Sequence, residues 1–141
     1  MSYHFVVPRY LAQGSVPTPG ARLSASFDTV VLCAVEHQRV PLPGVEVMYV
    51  PLDDSGPPPT ALEVQLAWKA AKLVAKRVRA GKRVLVTCAM GRNRSGLVMG
   101  FTLIMLGLTA QQAVAAIRRA RGADALSNRH FVQLLGQVRA A

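Results

Sequence analysis

One segment constrains this chain more than any other: Val84-Leu85-Val86-Thr87-Cys88-Ala89-Met90-Gly91-Arg92-Asn93-Arg94-Ser95-Gly96. The run from Arg83 to Thr87 has an apolar centre and predicts a short strand. A glycine-containing loop follows, then a helix predicted from Ser95 to Leu106. A strand that passes through so short a loop into an apolar helix calls for a layered α/β arrangement.

The rest of the chain agrees. Pro57-Pro58-Pro59 separates two halves of different character. In the first half, Phe5-Val6-Val7 and Tyr10-Leu11 read as short strands broken by Pro8. Thr29 to Cys33 is β-branched and nearly all apolar, as in a strand buried on both faces. Val45 to Val50 alternates after a Pro-Leu-Pro-Gly turn signal. The second half is mainly helical. Thr60 and Glu63 have capping-box spacing. The helix they open runs through Leu62, Leu66, Trp68, Leu73 and Val78 to a stop at Gly81, and Trp68 with the apolar stripe around it is assigned to the core. Thr109 with Gln112 starts another helix, which Gly122 ends. Ser127 starts the last one, with Phe131, Leu134, Leu135 and Val138 facing inward. This order predicts a single three-layer α/β domain over residues 1–141. Its central sheet has four or five mostly parallel strands flanked by helices, with three C-terminal helices on one side.

A chain of 141 residues is one domain by length, and its 51% apolar content favours a packed core. Leu97 to Leu108 is too short to cross a bilayer. The N-terminus has no basic region followed by a long apolar stretch, so no signal peptide is expected and the expected location is cytoplasmic. Cys33 and Cys88 are far apart, which is neither a disulfide framework nor a metal-binding pair. In a reducing compartment both rest as thiols. No cluster of His, Asp and Glu suggests a metal, and no cofactor is expected. The 17 Lys and Arg against 7 Asp and Glu give a net charge of +10. That favours anionic partners: phosphate esters, acidic peptides, phosphoinositide surfaces or nucleic acid. Nothing in the residues sets an oligomeric state.

The chemistry is concentrated after the strand at 83–87. The loop can turn the amides of Ala89, Met90, Gly91, Arg92, Asn93 and Arg94 into one bowl at a helix N-terminus, a nest for a tetrahedral dianion. Cys88 lies at its base, where the amides and the helix dipole favour the thiolate. Arg94 can bind two oxygens with its planar fork. Ser95 can donate a hydrogen bond to the Cys88 sulfur. Gly91 and Gly96 relieve crowding.

Cys88-x-x-Gly91-x-x-Arg94-Ser95-Gly96 resembles the signature loop of the protein tyrosine phosphatase superfamily, in particular its compact dual-specificity branch. Leu11 to Ser15 and Phe27 to Leu32 are similar to that family's opening strands. Ala113-Val114, Ile117-Arg118, Arg121, Asn128, Phe131 and Leu134-Leu135 are similar to its closing helices. The resemblance implies the cysteine phosphatase fold and a phosphomonoesterase that works through a phosphocysteine at Cys88. Its substrates would be phosphotyrosine and also phosphoserine and phosphothreonine, since a short chain leaves a shallow cleft. It also implies a general acid on an upstream loop. Val50-Pro51-Leu52-Asp53-Asp54 matches that stretch, with Asp54 as the acid in register and Asp53 as the alternative. Thr87 departs from the family, which has His there. A hydroxyl replaces only part of that hydrogen bonding, so activity is expected to rise towards neutral or alkaline pH.

Other readings stay open. Arg92 resembles a basic loop residue of the tensin-like phosphoinositide phosphatases, and Asn93-Arg94 resembles the RNA 5′-triphosphatase branch. Phosphoinositides, inositol phosphates and RNA 5′-phosphates are therefore alternative substrates. Cys33 is similar in place to a cysteine that pairs with the nucleophile under oxidation in the tensin-like relatives, which implies a redox partner for Cys88. A non-catalytic phosphate-binding module and a rhodanese-like sulfurtransferase are the rivals. His4 reads as terminal decoration, and His130 as a local cap.

Overall fold

The computed structural model describes residues 1–138, so the last three positions of the expected 1–141 domain lie outside the described residues. Five strands form one sheet: β1 (Tyr3–Val7), β2 (Leu11–Gly14), β3 (Thr29–Ala34), β4 (Glu46–Leu52) and β5 (Val84–Thr87), in the order β1-β2-β5-β3-β4. Only β1 runs antiparallel. The two short strands expected around Pro8 form a hairpin. Its turn places Arg9 at φ 78° and closes with the Tyr10 amide donating to the Val7 carbonyl at 3.2 Å. β2 continues past Leu11 to Gly14 because Leu11 to Gly14 pair with Val84 to Thr87. That register brings Gln13 and Gly14 alongside the end of β5, where the Cys88 loop begins.

Residues alternate between the two faces of the sheet. Val31, Cys33, Val84 and Val86 face one core, which holds the buried side chains of all four α-helices. These are α1 (Ala61–Arg79), α2 (Arg94–Met105), α3 (Ala110–Arg121) and α4 (Arg129–Gln137). Val30, Leu32 and Leu85 face a smaller core closed by Phe27, Leu42 and neighbouring loop residues. Short 3-10 turns at Leu23–Ala25 and Val35–His37 lie in the segments that flank β3.

The capping boxes at Thr60/Glu63 and Thr109/Gln112 both form. In α1 the buried stripe is Ala67, Ala70, Ala71, Val74 and Ala75. Leu62 and Leu73, expected on the inner stripe, fall on the opposite side of a 3.6-residue helix and are 64% and 45% exposed. The small alanines set the buried face because they let α1 lie close to its neighbours. Trp68 is half-buried and meets Phe101 edge-on at 5.2 Å. Asn128, not Ser127, caps α4 by accepting from the amides of His130 and Phe131. Among the described residues, no helix is long and apolar enough to cross a membrane.

Candidate active site

The Cys88 loop runs from the carboxyl end of β5 to the first turn of α2. Four successive carbonyls point outward and are each held. Ala89 O accepts from the Val16 amide at 3.3 Å and Arg92 O from the Leu126 amide at 3.0 Å. Met90 O accepts from Arg121 at 3.0 Å, and Gly91 O from Arg121 Nε at 3.0 Å and Gln13 Nε2 at 3.2 Å. The C=O and N–H of one peptide plane point in opposite directions. Outward carbonyls at 89–92 therefore turn the amides of Met90 to Asn93 inward. Among the described residues, the amides from Ala89 to Arg94 donate to no protein acceptor. Gly91 sits at φ 69°, and a Cβ there would lie 2.6 Å from Gly14 O and from Arg121 Nη2, so the close approach requires glycine.

Cys88 is buried at the base of this loop, with Ser95 Oγ 3.2 Å from its sulfur. Ser95 is fully buried and also accepts from Gln13 Nε2 at 3.0 Å. Arg94, 8% exposed, opens α2. Its Nη1 and Nη2 grip the Glu36 carboxylate, the Nη2 contact at 2.8 Å, and Nη1 also donates to Leu52 O at 3.2 Å. Among the described residues, Nε–H and one Nη2 hydrogen have no protein acceptor. They form the side edge of the guanidinium, a two-pronged donor suited to two phosphate oxygens. Burial lowers the Arg94 pKa, but the Glu36 hydrogen bonds and the charges of Cys88, Glu36 and Asp54 outweigh it and raise it. The Arg94 hydrogen bond holds the Glu36 carboxyl at about 2, below its ordinary 4.5.

Asp54 and Asp53 are separated clearly. Asp54 lines a cavity of about 310 Å³ together with Cys88, Met90, Arg92, Asn93 and Arg94. Its oxygens accept from Asn93 Nδ2 at 3.0 Å and from Asn128 Nδ2. Asp53 is exposed and folds back on Ser55, accepting from its amide and hydroxyl at 3.1 and 2.6 Å. Asn93 is thus a spacer between Asp54, Ser127 and Asn128. Thr87 is buried, and its hydroxyl donates to Val31 O in β3 at 2.9 Å. That bond ties β5 to β3, and among the described residues the Thr87 hydroxyl makes no hydrogen bond to the loop.

Cys33, at the end of β3, lines the same tight gap as Cys88, Thr87 and His37, and both cysteines are free. Burial pushes the Cys33 thiol well above its ordinary value, and the Cys88 charge adds to that. His4 is not decoration: its Nδ1 meets Arg121 Nη1 at 2.8 Å. His130 lines an adjoining cleft of about 600 Å³ that shares Asp54, Asn93 and Ser127 with the Cys88 cavity.

Sequence reading alone assigned no role to Glu36, Gln13, Arg121 or Asn128. Arg121 and Asn128 were visible through the family resemblance of the closing helices. Glu36 and Gln13 carried no local signal, because their partners are 58 and 82 residues away in the chain.

A mostly parallel sheet with a cysteine just past its central strand, a loop of free amides and an arginine at the next helix start match the cysteine phosphatase fold. By fold and signature loop, the chain is similar to the compact, dual-specificity-like proteins of the protein tyrosine phosphatase superfamily. It is 26% identical to a mouse putative dual specificity phosphatase crystallised with zinc tungstate, with a TM-score of 0.79, covering 96% of this chain and 86% of that one. It is 26% identical to human DUSP28, with a TM-score of 0.79, covering 96% and 93% of the two chains. It is also 26% identical to Tk-PTP in its active form, with a TM-score of 0.73, covering 98% of each. No family model and no curated protein sequence matches it.

Proposed function

We propose that this protein is a metal-independent phosphomonoesterase that hydrolyses phosphotyrosine, phosphoserine and phosphothreonine through a phosphocysteine at Cys88. The observation that carries the reading is the ring of unpartnered amides from Ala89 to Arg94 around a buried cysteine, with one free edge of Arg94 beside it. Oxygens of a tetrahedral phosphoryl group fit those donors, which are already in place as charge develops. The Cys88 thiolate attacks phosphorus, and the bond to the leaving oxygen breaks. Asp54, on the cavity wall, gives that oxygen its proton. Water then attacks phosphorus, Asp54 takes the water's proton, and the sulfur leaves as a thiolate hydrogen-bonded by Ser95.

Among the described residues, no aromatic side chain lines the Cys88 cavity. That supports a shallow site open to alkyl as well as aryl phosphates. A second reading has its own support. Arg129, His130 and Gln133 line the adjoining cleft. Among the described residues, the Arg129 side chain makes no ion pair. These donors favour substrates carrying a further anionic group, such as inositol phosphates, phosphoinositides or RNA 5′-phosphates.

The test is phosphate release from p-nitrophenyl phosphate, phosphopeptides, phosphoinositides and 5′-triphosphate RNA by wild type and Cys88→Ser. Cys88→Ser is expected to lose all measurable turnover on every substrate that wild type cleaves. Retained hydrolysis by that variant would overturn the mechanism, and thiosulfate sulfur transfer by wild type would favour the sulfurtransferase rival.

A further inference from the structure

Gln13 is fully buried in β2, paired across the sheet with Val86. Its side chain offers two N–H donors and one carbonyl acceptor. Nε2 donates to Gly91 O at 3.2 Å and to Ser95 Oγ at 3.0 Å, whereas Oε1 is buried with no partner among the described residues. This orientation is dictated by Gly91, whose carbonyl can only accept. Turning the amide over would set two oxygens against each other and would isolate the NH2 group as well. Gly91 O is also held by Arg121 Nε, so the loop carbonyl stays where it is.

A hydroxyl has one hydrogen and rotates to suit its surroundings. Taken alone, the 3.2 Å contact between Ser95 Oγ and Cys88 Sγ could run in either direction. The Gln13 hydrogen occupies a lone pair of Oγ, so Ser95 is an acceptor on that side. Its own hydrogen is left for the sulfur. The unpartnered Oε1 is what the fold tolerates to keep this direction, since a buried polar atom without a partner is unfavourable.

We propose that Gln13 is a positioning residue that aims the Ser95 hydroxyl at the Cys88 sulfur for breakdown of the phosphocysteine. The proposal rests on the phosphatase reading above. In that step a water oxygen bonds to phosphorus and the P–S bond breaks. The electron pair returns to sulfur as a thiolate, and the water's proton passes to the Asp54 carboxylate. The Ser95 O–H donates a hydrogen bond to the departing sulfur and keeps its proton. Without Gln13, the hydroxyl is free to turn away, and sulfur leaves unaided.

The test is a double-mutant cycle on Gln13→Met and Ser95→Ala with p-nitrophenyl phosphate. Gln13→Met keeps the volume and removes the orphaned oxygen, while Gly91 O retains Arg121. Its Tm is expected within about 3 °C of wild type. Because only the second chemical step is slowed, kcat should fall about tenfold, KM should fall with it, and kcat/KM should stay within about twofold. A stoichiometric burst of p-nitrophenol should appear. Ser95→Ala should behave the same way, and the double variant should be no slower than Ser95→Ala alone. Multiplying losses in the double variant would overturn the proposal, as would a fall in kcat/KM without a burst. Failure of both Gln13→Met and Gln13→Leu to fold would place Gln13 in the scaffold and overturn it too. Failure of the phosphatase reading is distinguishable, since wild type itself would then release no phosphate.

Discussion

Replacing Glu36 should weaken the site without touching the substrate. The Glu36 carboxylate holds Arg94 by two hydrogen bonds, and among the described residues the only other hydrogen bond of that guanidinium is to Leu52 O. The fall of the Glu36 carboxyl from 4.5 to about 2 corresponds to roughly 3 kcal/mol favouring the ionised pair. The Glu36 side chain is 48% exposed, and Arg94 only 9%. Water screens the exposed partner, which brings the usable interaction down to about 1–2 kcal/mol. If that energy serves to orient Arg94 in the transition state, Glu36→Ala should lower kcat/KM about 5- to 30-fold. Glu36→Gln keeps one acceptor and should fall in between. The pH dependence has a definite sign. The folded-state pKa is depressed, so the stabilisation is complete above about pH 4.5 and disappears as pH falls towards 2. The difference in unfolding free energy between wild type and Glu36→Ala should therefore be constant above about pH 5 and shrink to nothing near pH 2. The assays are steady-state kinetics on p-nitrophenyl phosphate near neutrality and urea unfolding across that pH range. A Glu36→Ala enzyme within twofold of wild type in kcat/KM would refute the idea that Glu36 holds the working arginine.

Two further outcomes are expected. Asp54→Asn should lower kcat about 100-fold or more on poor leaving groups and less on p-nitrophenyl phosphate, while Asp53→Asn should change it little, since Asp53 is turned back onto Ser55; equal losses for both would reverse the assignment of the acid. Peroxide should convert Cys88 to a sulfenic acid that condenses with the neighbouring Cys33 thiol, releasing water and leaving a disulfide that thiols reduce. Mass spectrometry that found only Cys88 sulfinate would remove that pairing.

The residues of the proposed anion nest were legible in one stretch of chain because such a nest is a local object. Cys88, Arg94 and Ser95 lie within a single strand-to-helix passage, so their relative positions follow from the loop length alone. The capping boxes at Thr60 and Thr109 were legible for the same reason. Asp54 and Asp53 were harder to separate, since adjacent residues on a loop differ only in which way the backbone turns them.

Whatever holds the nest came from elsewhere, and no short-range pattern announces it. The sheet order puts β2 and β3 on either side of β5. That order brings Gln13 against Ser95 from one side, and Glu36, just beyond β3, against Arg94 from the other. The packing of α3 and α4 sets Arg121 on the loop carbonyls and Asn128 on Asp54. A lone Gln, Glu or Arg in sequence looks like any other polar residue. Its role depends on which distant atom it meets, and only the folded chain decides that.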